Sequence, residues 1–114
     1  MISSGIEVLE TDRSVIRLWG EVDALLRDQA SAALVRLLER GGPYVIDVAH
    51  VTFIDSAGLA FIIQLHRLAG DENTHVVLRD PPAFLVGLLD LIGVPGSIPF
   101  EYSSEPPPRQ TPSS

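Results

Sequence analysis

The residues best placed to do chemistry sit in one run, Ile54-Asp55-Ser56-Ala57-Gly58-Leu59. Asp and Ser side chains both accept hydrogen bonds from the free N–H groups at a helix start. Gly58 would cost a helix roughly 1 kcal/mol relative to a good helix former, but it leaves the backbone approachable from outside. A hydroxyl at Ser56 would lie over the positive end of the helix dipole, where added negative charge is tolerated. Two readings of Ser56 follow: a helix cap and nothing more, or an acceptor of a phosphoryl group. A hydrolytic nucleophile would need G-x-S-x-G, and Ile54 stands where the first glycine belongs. His50, His66 and His75 have no Ser-Asp pattern beside them, His66 has no second His four residues on, and Cys is absent. Thiol catalysis and the usual zinc spacings are therefore excluded. Neither a P-loop nor a dinucleotide-binding glycine pattern occurs. The expectation is a chain that is not an enzyme, with no catalytic residue, metal site or cofactor of its own.

Composition narrows the partners. The chain has 114 residues, a length that suits one domain. It has 15 acidic and 8 basic residues, a net charge of −7, and every basic residue is Arg. Such a chain gains nothing from counterion release on DNA or RNA, and an anionic membrane repels it. Met1 to Gly20 carries Glu7, Glu10, Asp12, Arg13 and Arg17 and no long apolar run, so it does not read as a signal peptide. The apolar stretch Ala57 to Ile63, which no other exceeds, is too short to span a bilayer. A cytoplasmic domain is expected.

These residues need elements to position them. Ile6 and Val8, then Ile16 and Leu18, alternate with a period of two around a polar Thr11-Asp12-Arg13 turn, which predicts a hairpin. Asp23 is a good N-cap for a helix from Ala24 to Arg40, whose stripe is Leu26, Ala30, Ala33, Leu34 and Leu37. Tyr44 to Ala49 predicts a central strand buried on both faces. Val51 to Asp55 is expected to link it to a second helix over Ala57 to Ala69, ended by Gly70. Leu59 and Ile63 lie on one face of that helix, and Phe61, Leu65 and Leu68 on another. One set must face the sheet; the other is either core as well or a docking surface. Thr74 to Leu78 predicts a strand. Asp80 and Pro81 open a third helix with Phe84, Leu85, Leu88, Leu89 and Ile92 on its apolar face. Ile98 to Tyr102 is a last short strand, put at an edge by Pro99. The Pro/Ser-rich residues 103–114 are expected to be a disordered tail behind a domain over 1–102.

The strand Val45-Ile46-Asp47-Val48, then Val51-Thr52-Phe53-Ile54 and Asp55-Ser56-Ala57-Gly58-Leu59, resembles the signature region of the STAS-domain family, in particular bacterial anti-sigma factor antagonists. Gly20-Glu21-Val22-Asp23 resembles a second motif of that family, the loop before its first long helix. The likeness in element order spans about residues 6–102. It implies an α/β, STAS-like single domain: a mixed β-sheet of four to five strands with an initial hairpin and helices packed against it. It also implies that Ser56 is the phosphoacceptor, that Asp55 helps orient its hydroxyl, and that Asp23 lies near it, with Ala57, Gly58 and Leu59 completing the binding surface. The implied partner is an anti-sigma factor that is an ATP-dependent serine kinase. It binds the unphosphorylated domain and so frees a sigma factor; phosphorylation ends the binding and a separate phosphatase resets it. ATP and magnesium belong to the kinase. The chain departs from the family at Ala57, where many relatives carry Ser or Thr, and at Ala49-His50, where the family often has Ser-Gly. His50 either tunes partner binding with pH or is a loop histidine without a role. The alternative is a STAS subunit of a lipid-transport ATPase complex or of a stress-signalling scaffold, without a phosphoswitch.

Overall fold

The computed structural model describes residues 4–10, 14–93 and 98–102. Strands β1 (Gly5–Glu10) and β2 (Ser14–Val22) form the expected antiparallel hairpin, with Val8 opposite Ile16 and Ile6 opposite Leu18. A 3₁₀ turn (Ala24–Leu26) leads into helix α1 (Arg27–Arg40). Then come β3 (Tyr44–Ile54), α2 (Ser56–Asp71), β4 (Val76–Arg79), α3 (Ala83–Ile92) and β5 (Phe100–Glu101). The sheet runs β1-β2-β3-β4-β5, and every pairing after the hairpin is parallel. This is the mixed α/β sheet that the alternation of strands and helices predicts.

One core holds the domain. Ile16, Leu18 and Val22 of β2, Tyr44, Ile46, Val48, Val51 and Ile54 of β3, and Val76 and Leu78 of β4 meet the buried residues of all three helices in a single cluster. From α1 these are Ala33 and Leu37, with Leu26 before it; Ala30 and Leu34 pack beside them, as the stripe predicts. From α2 the core takes Phe61, Ile62, Leu65 and Ala69, so the Phe61–Leu65 set faces the sheet while Leu59 packs partly buried against it. Leu85 and Leu89 serve α3, but Phe84 and Ile92 of its expected face are 40% and 46% exposed.

The opposite face of the sheet carries a row of alternating charge. Glu7 pairs in register with Arg17, Arg17 with Asp47, Asp47 with Arg79, and Arg79 with Glu101, one residue from each of the five strands. Arg17 Nε lies 3.7 Å from Asp47 and Arg79 Nε donates to Glu101 at 3.0 Å. Opposite charges directly across strands stabilise a pairing, and a slip of one residue would set each of them on the wrong face. Asp47 is thus a buried but paired charge in the strand expected to be buried on both faces.

β4 and β5 are shifted or shortened by one or two residues from expectation, and four further boundaries differ for a local reason. β3 does not stop at Ala49. It runs to Ile54 with two irregularities against β2, where Arg17 and Trp19 face Asp47 and His50, and Gly20 and Glu21 face Val51 and Phe53. Each inserts one extra β3 residue, so buried Val48, Val51 and Ile54 are three apart and mimic a loop. The Asp47 carboxylate accepts from the Ala49 N–H at 3.1 Å at the first of them. Ala49 and His50 are therefore strand residues, both exposed, rather than a turn. The helix after Asp23 begins as a 3₁₀ turn before the α-helix proper. Gly70 stays helical in α2, and the chain leaves through Asn73 in the left-handed region (φ 60°). Asp80 does not cap α3; it has φ 55°, and the N-cap is Pro82 without a side-chain bond. As expected, β5 is an edge strand, with the Pro99 carbonyl accepting from Leu78 at 2.9 Å. The Thr11–Arg13 turn and residues 103–114 lie outside the described residues.

Candidate functional site

β2 and β3 end side by side, with Val22 in register with Ile54. One residue further on, the Asp55 N–H donates to the Val22 carbonyl at 3.2 Å. That bond draws two chain turns together: the Asp23 turn that starts the first helical segment, and the Asp55-Ser56 turn that starts α2. In each the aspartate satisfies free backbone donors. Asp23 Oδ1 accepts from the Leu25 N–H at 3.0 Å. Asp55 Oδ1 accepts from the Ala57 and Gly58 N–H groups at 2.9 and 3.1 Å.

This arrangement gives the cap of α2 to Asp55 rather than to Ser56. The N-cap of α2 is Asp55, and Ser56 is the first helical residue. Ser56 is not needed as a cap, and it is exposed. The Asp55 carboxylate serves the helix backbone directly, which fixes the turn that displays the hydroxyl.

Gly58 fixes how closely the two turns approach. It is buried, and a Cβ built there would lie 2.7 Å from the Val22 carbonyl oxygen and 2.5 Å from Ile54 Cγ1. No side chain fits that space without moving the first turn of α2 away from β2. The glycine is a close-approach residue rather than an opening toward solvent. Ala57 and Leu59 are half-buried, Leu59 against the core. Asp23 and Asp55 are half-buried as well.

The structure brings into view two residues that the sequence did not single out. Leu25, in the 3₁₀ turn after Asp23, is 89% exposed, and Phe53, near the end of β3, is 50% exposed. The signal for Leu25 was its place off the apolar stripe of the first helix. The signal for Phe53 was hidden by the irregularity that makes Thr52 and Phe53 both exposed before buried Ile54.

A cavity of about 400 Å³ lies between α3 and β5, lined by Val86, Leu89, Asp90, Ile98 and Phe100, on elements that carry none of the expected site residues. Among the described residues there is no group of three or more His, Asp or Glu side chains able to hold a metal ion. No helix among them is long and apolar enough to cross a membrane.

A mixed sheet with an initial hairpin, a single helix-covered core and a serine displayed where β3 turns into α2 define a SpoIIAA-like α/β domain. The family model described as "Mlab, STAS domain" matches residues 7–99, and the chain belongs to that family. An anti-sigma factor antagonist from Mycobacterium paratuberculosis has a similar fold, with a TM-score of 0.73 at 24% identity over 90% of this chain and 87% of the other. The anti-sigma factor antagonist SpoIIAA in its unphosphorylated form gives 0.69 at 17% identity over 90% of each chain. The Bacillus cell fate determinant SpoIIAA in its phosphorylated form gives 0.63 at 19% identity, over 90% of this chain and 93% of that one. At these identities the likeness is one of fold. A comparison with curated proteins finds no match.

Proposed function

We propose that this chain is an anti-sigma factor antagonist. Unphosphorylated, it binds an anti-sigma factor that is a serine kinase and so frees a sigma factor; phosphorylation at Ser56 switches it off, and a phosphatase acting on phospho-Ser56 restores it. The observation that carries this reading is an exposed Ser56 at the first position of α2, capped by its neighbour Asp55 and held beside the Asp23 turn by the Val22–Asp55 bond. The kinship with antagonists that have been solved both with and without phosphate supports it.

The physics of the switch is local. Kinase and ATP supply the phosphoryl group to the Ser56 oxygen; this chain supplies the acceptor and no cofactor. A phosphate adds about −1.5 to −2 charge and three strong acceptor oxygens. The helix dipole accommodates that charge, so the domain need not refold. A partner shaped to a neutral hydroxyl then meets a dianion beside Asp23 and Asp55. Like-charge and desolvation costs at such an interface run to several kcal/mol. A loss of about 3 kcal/mol is more than a hundredfold in affinity. On this reading the protein acts in the cytoplasm, with its sigma factor, and touches neither nucleic acid nor membrane itself.

Incubation with the cognate kinase and ATP should add one phosphate, at Ser56, and Ser56→Ala should abolish it. Ser56→Ala should keep kinase binding, while Ser56→Asp should weaken it. Labelling elsewhere, or none with several candidate kinases, removes the switch. One observation favours a second reading: the matching family model is the one described as "Mlab, STAS domain". On it the chain is a STAS subunit of a lipid-transport ATPase complex, and Ser56 is a modest contact. Recovery of a transporter ATPase with the tagged chain, instead of a kinase, would select it.

A further inference from the structure

The cavity between α3 and β5 is a feature that the phosphoswitch does not use. Its volume of about 400 Å³ is that of a ligand pocket. Val86 and Leu89 line it from α3, and Ile98 and Phe100 from the β5 side. Gly87 lines it too; it is exposed, and a Cβ there would meet nothing within 4 Å. Glycine inside a helix weakens it relative to alanine, and here it leaves the cavity open. One end of the cavity is negative. Asp90, which is exposed, and Gly93, where α3 ends, both line it, and no basic residue stands in the last turn of that helix. Carboxylate and helix dipole both favour a cation there.

The chain itself supplies an occupant of this chemistry. Phe100 belongs to the lining, and the sequence SSEPPPRQTPSS follows Tyr102. β5 is parallel to β4, so α3, which links them, runs back toward the start of β5. A segment that reverses after Tyr102 therefore travels past the cavity from Val86 toward Gly93. Consecutive prolines favour the extended polyproline II form, whose shape is largely set before it binds. At about 3.1 Å per residue, Pro106 to Pro108 cover about 9 Å. From Val86 to Gly93 is 93 − 86 = 7 residues, about 10 Å of helix. Prolines bring apolar rings and no N–H to bury. Arg109, the basic residue of the segment, comes next and reaches the Asp90 end. Tethering helps: a short linker sets an effective concentration on the order of 1 mM, so an intrinsic affinity of about 0.1 mM gives about 90% occupancy.

We propose that residues 106–109 of this chain occupy the cavity between α3 and β5, with the prolines against Val86 and Phe100 and Arg109 at Asp90. Composition alone predicts residues 103–114 to be disordered; it takes no account of an apolar cavity beside the point where they depart. The docked segment covers the β5 edge of the sheet. The cavity carries no residue of the Ser56 site, so this proposal and the phosphoswitch stand or fall separately.

The chain has no Cys, so Ser113→Cys gives the full-length protein a single site for a nitroxide label. The backbone amide signals of Gly87, Asp90 and Gly93 should broaden strongly, and that of Gly58, at the other end of the parallel strands, should not. Arg109→Ala and Asp90→Asn should each at least halve the broadening. Replacing all three prolines, Pro106→Ser, Pro107→Ser and Pro108→Ser, should remove it. These changes touch no residue of the core, so the loss cannot be a loss of fold. Gly87→Leu, which fills the cavity, should remove it as well. Weak broadening spread evenly over the domain overturns the proposal, as does strong broadening at α3 that survives in the triple proline variant. A mixture of nitroxide-labelled chain with unlabelled isotope-enriched chain should show no broadening; broadening at Gly87 and Gly93 in that mixture gives the cavity to the tail of a second copy and overturns its occupation by the chain's own.

Discussion

Substituting Gly58 by alanine sets two effects of opposite sign against each other. Alanine in place of glycine favours a helix by up to about 1 kcal/mol, and less in a first turn. Against that, the new methyl meets the Val22 carbonyl oxygen at 2.7 Å and Ile54 Cγ1 at 2.5 Å. The Ile54 side chain can rotate; the Val22 oxygen is backbone, held in the β2–β3 pairing and accepting from Asp55. Ordinary contact begins at 3.4 Å, so α2 must retreat by 3.4 − 2.7 = 0.7 Å at that point. Overpacking of this kind costs about 1–3 kcal/mol. The net expectation is a destabilisation of about 1–2 kcal/mol, or a fall in Tm of about 5–10 °C for a domain of this size. Gly87→Ala in α3 is the control, because a Cβ there meets nothing within 4 Å. It should stabilise by up to about 1 kcal/mol. Urea denaturation of both variants, with an unchanged m value, measures the difference. Ser56 phosphorylation should slow in Gly58→Ala and not in Gly87→Ala, since only the first displaces the turn. A Gly58→Ala variant as stable as the wild type, beside a stabilised Gly87→Ala, would refute the close-approach role.

Asp55→Ala should lose about 1 kcal/mol through the two cap bonds to Ala57 and Gly58, while Asp55→Asn should retain most of it; urea titration separates the two. Tyr44, fully buried, has its hydroxyl pushed up to about 12 by burial, by its bond to Glu72 at 2.8 Å and by the charge of that carboxylate. The fold therefore favours the neutral phenol, and this contribution is whole below about pH 10 and is lost as pH rises toward 12. Stability against pH over that window should fall more steeply in the wild type than in Tyr44→Phe. A double-mutant cycle on Arg17→Ala and Asp47→Ala should give a coupling of about 0.5–1 kcal/mol, since Arg17 is partly exposed and the pair sits at 3.7 Å. No coupling would mean that the charge row does not fix register.

The hairpin and the first two helices were legible because their periodicities are clean: Ile6 and Val8 against Ile16 and Leu18, and the Leu26–Leu37 stripe. The Asp55-Ser56 turn was legible because caps are chosen by local chemistry. What failed were features that need a partner strand. Val48, Val51 and Ile54 are three apart because β3 carries two extra residues opposite β2, and no single-strand pattern separates that from a loop. The Glu7–Arg17–Asp47–Arg79–Glu101 row is scattered over the chain and exists only once register is known. Asp80 before two prolines reads as a cap, yet Asp tolerates a left-handed backbone and here turns the chain instead.

The two irregularities in β3 also account for where the site stands. Between the Arg17–Asp47 pair and the Val22–Ile54 pair, β2 advances 22 − 17 = 5 residues and β3 advances 54 − 47 = 7. Each extra residue reverses which side chains face the core. After one reversal Val51 faces inward instead of an even-numbered residue; after the second, Ile54 does. With a single irregularity Ile54 would face water and Phe53 the core. With both, Ile54 is buried against Val22 and Gly58, and Phe53 is turned out. Asp55 then arrives beside the Val22 carbonyl, and the helix that it caps begins at Ser56. The exposed serine and the exposed phenylalanine therefore have one cause, a phase in strand β3. Two residues whose exposure shares a cause stay in fixed relation to each other, so a change in the phase of β3 would move both.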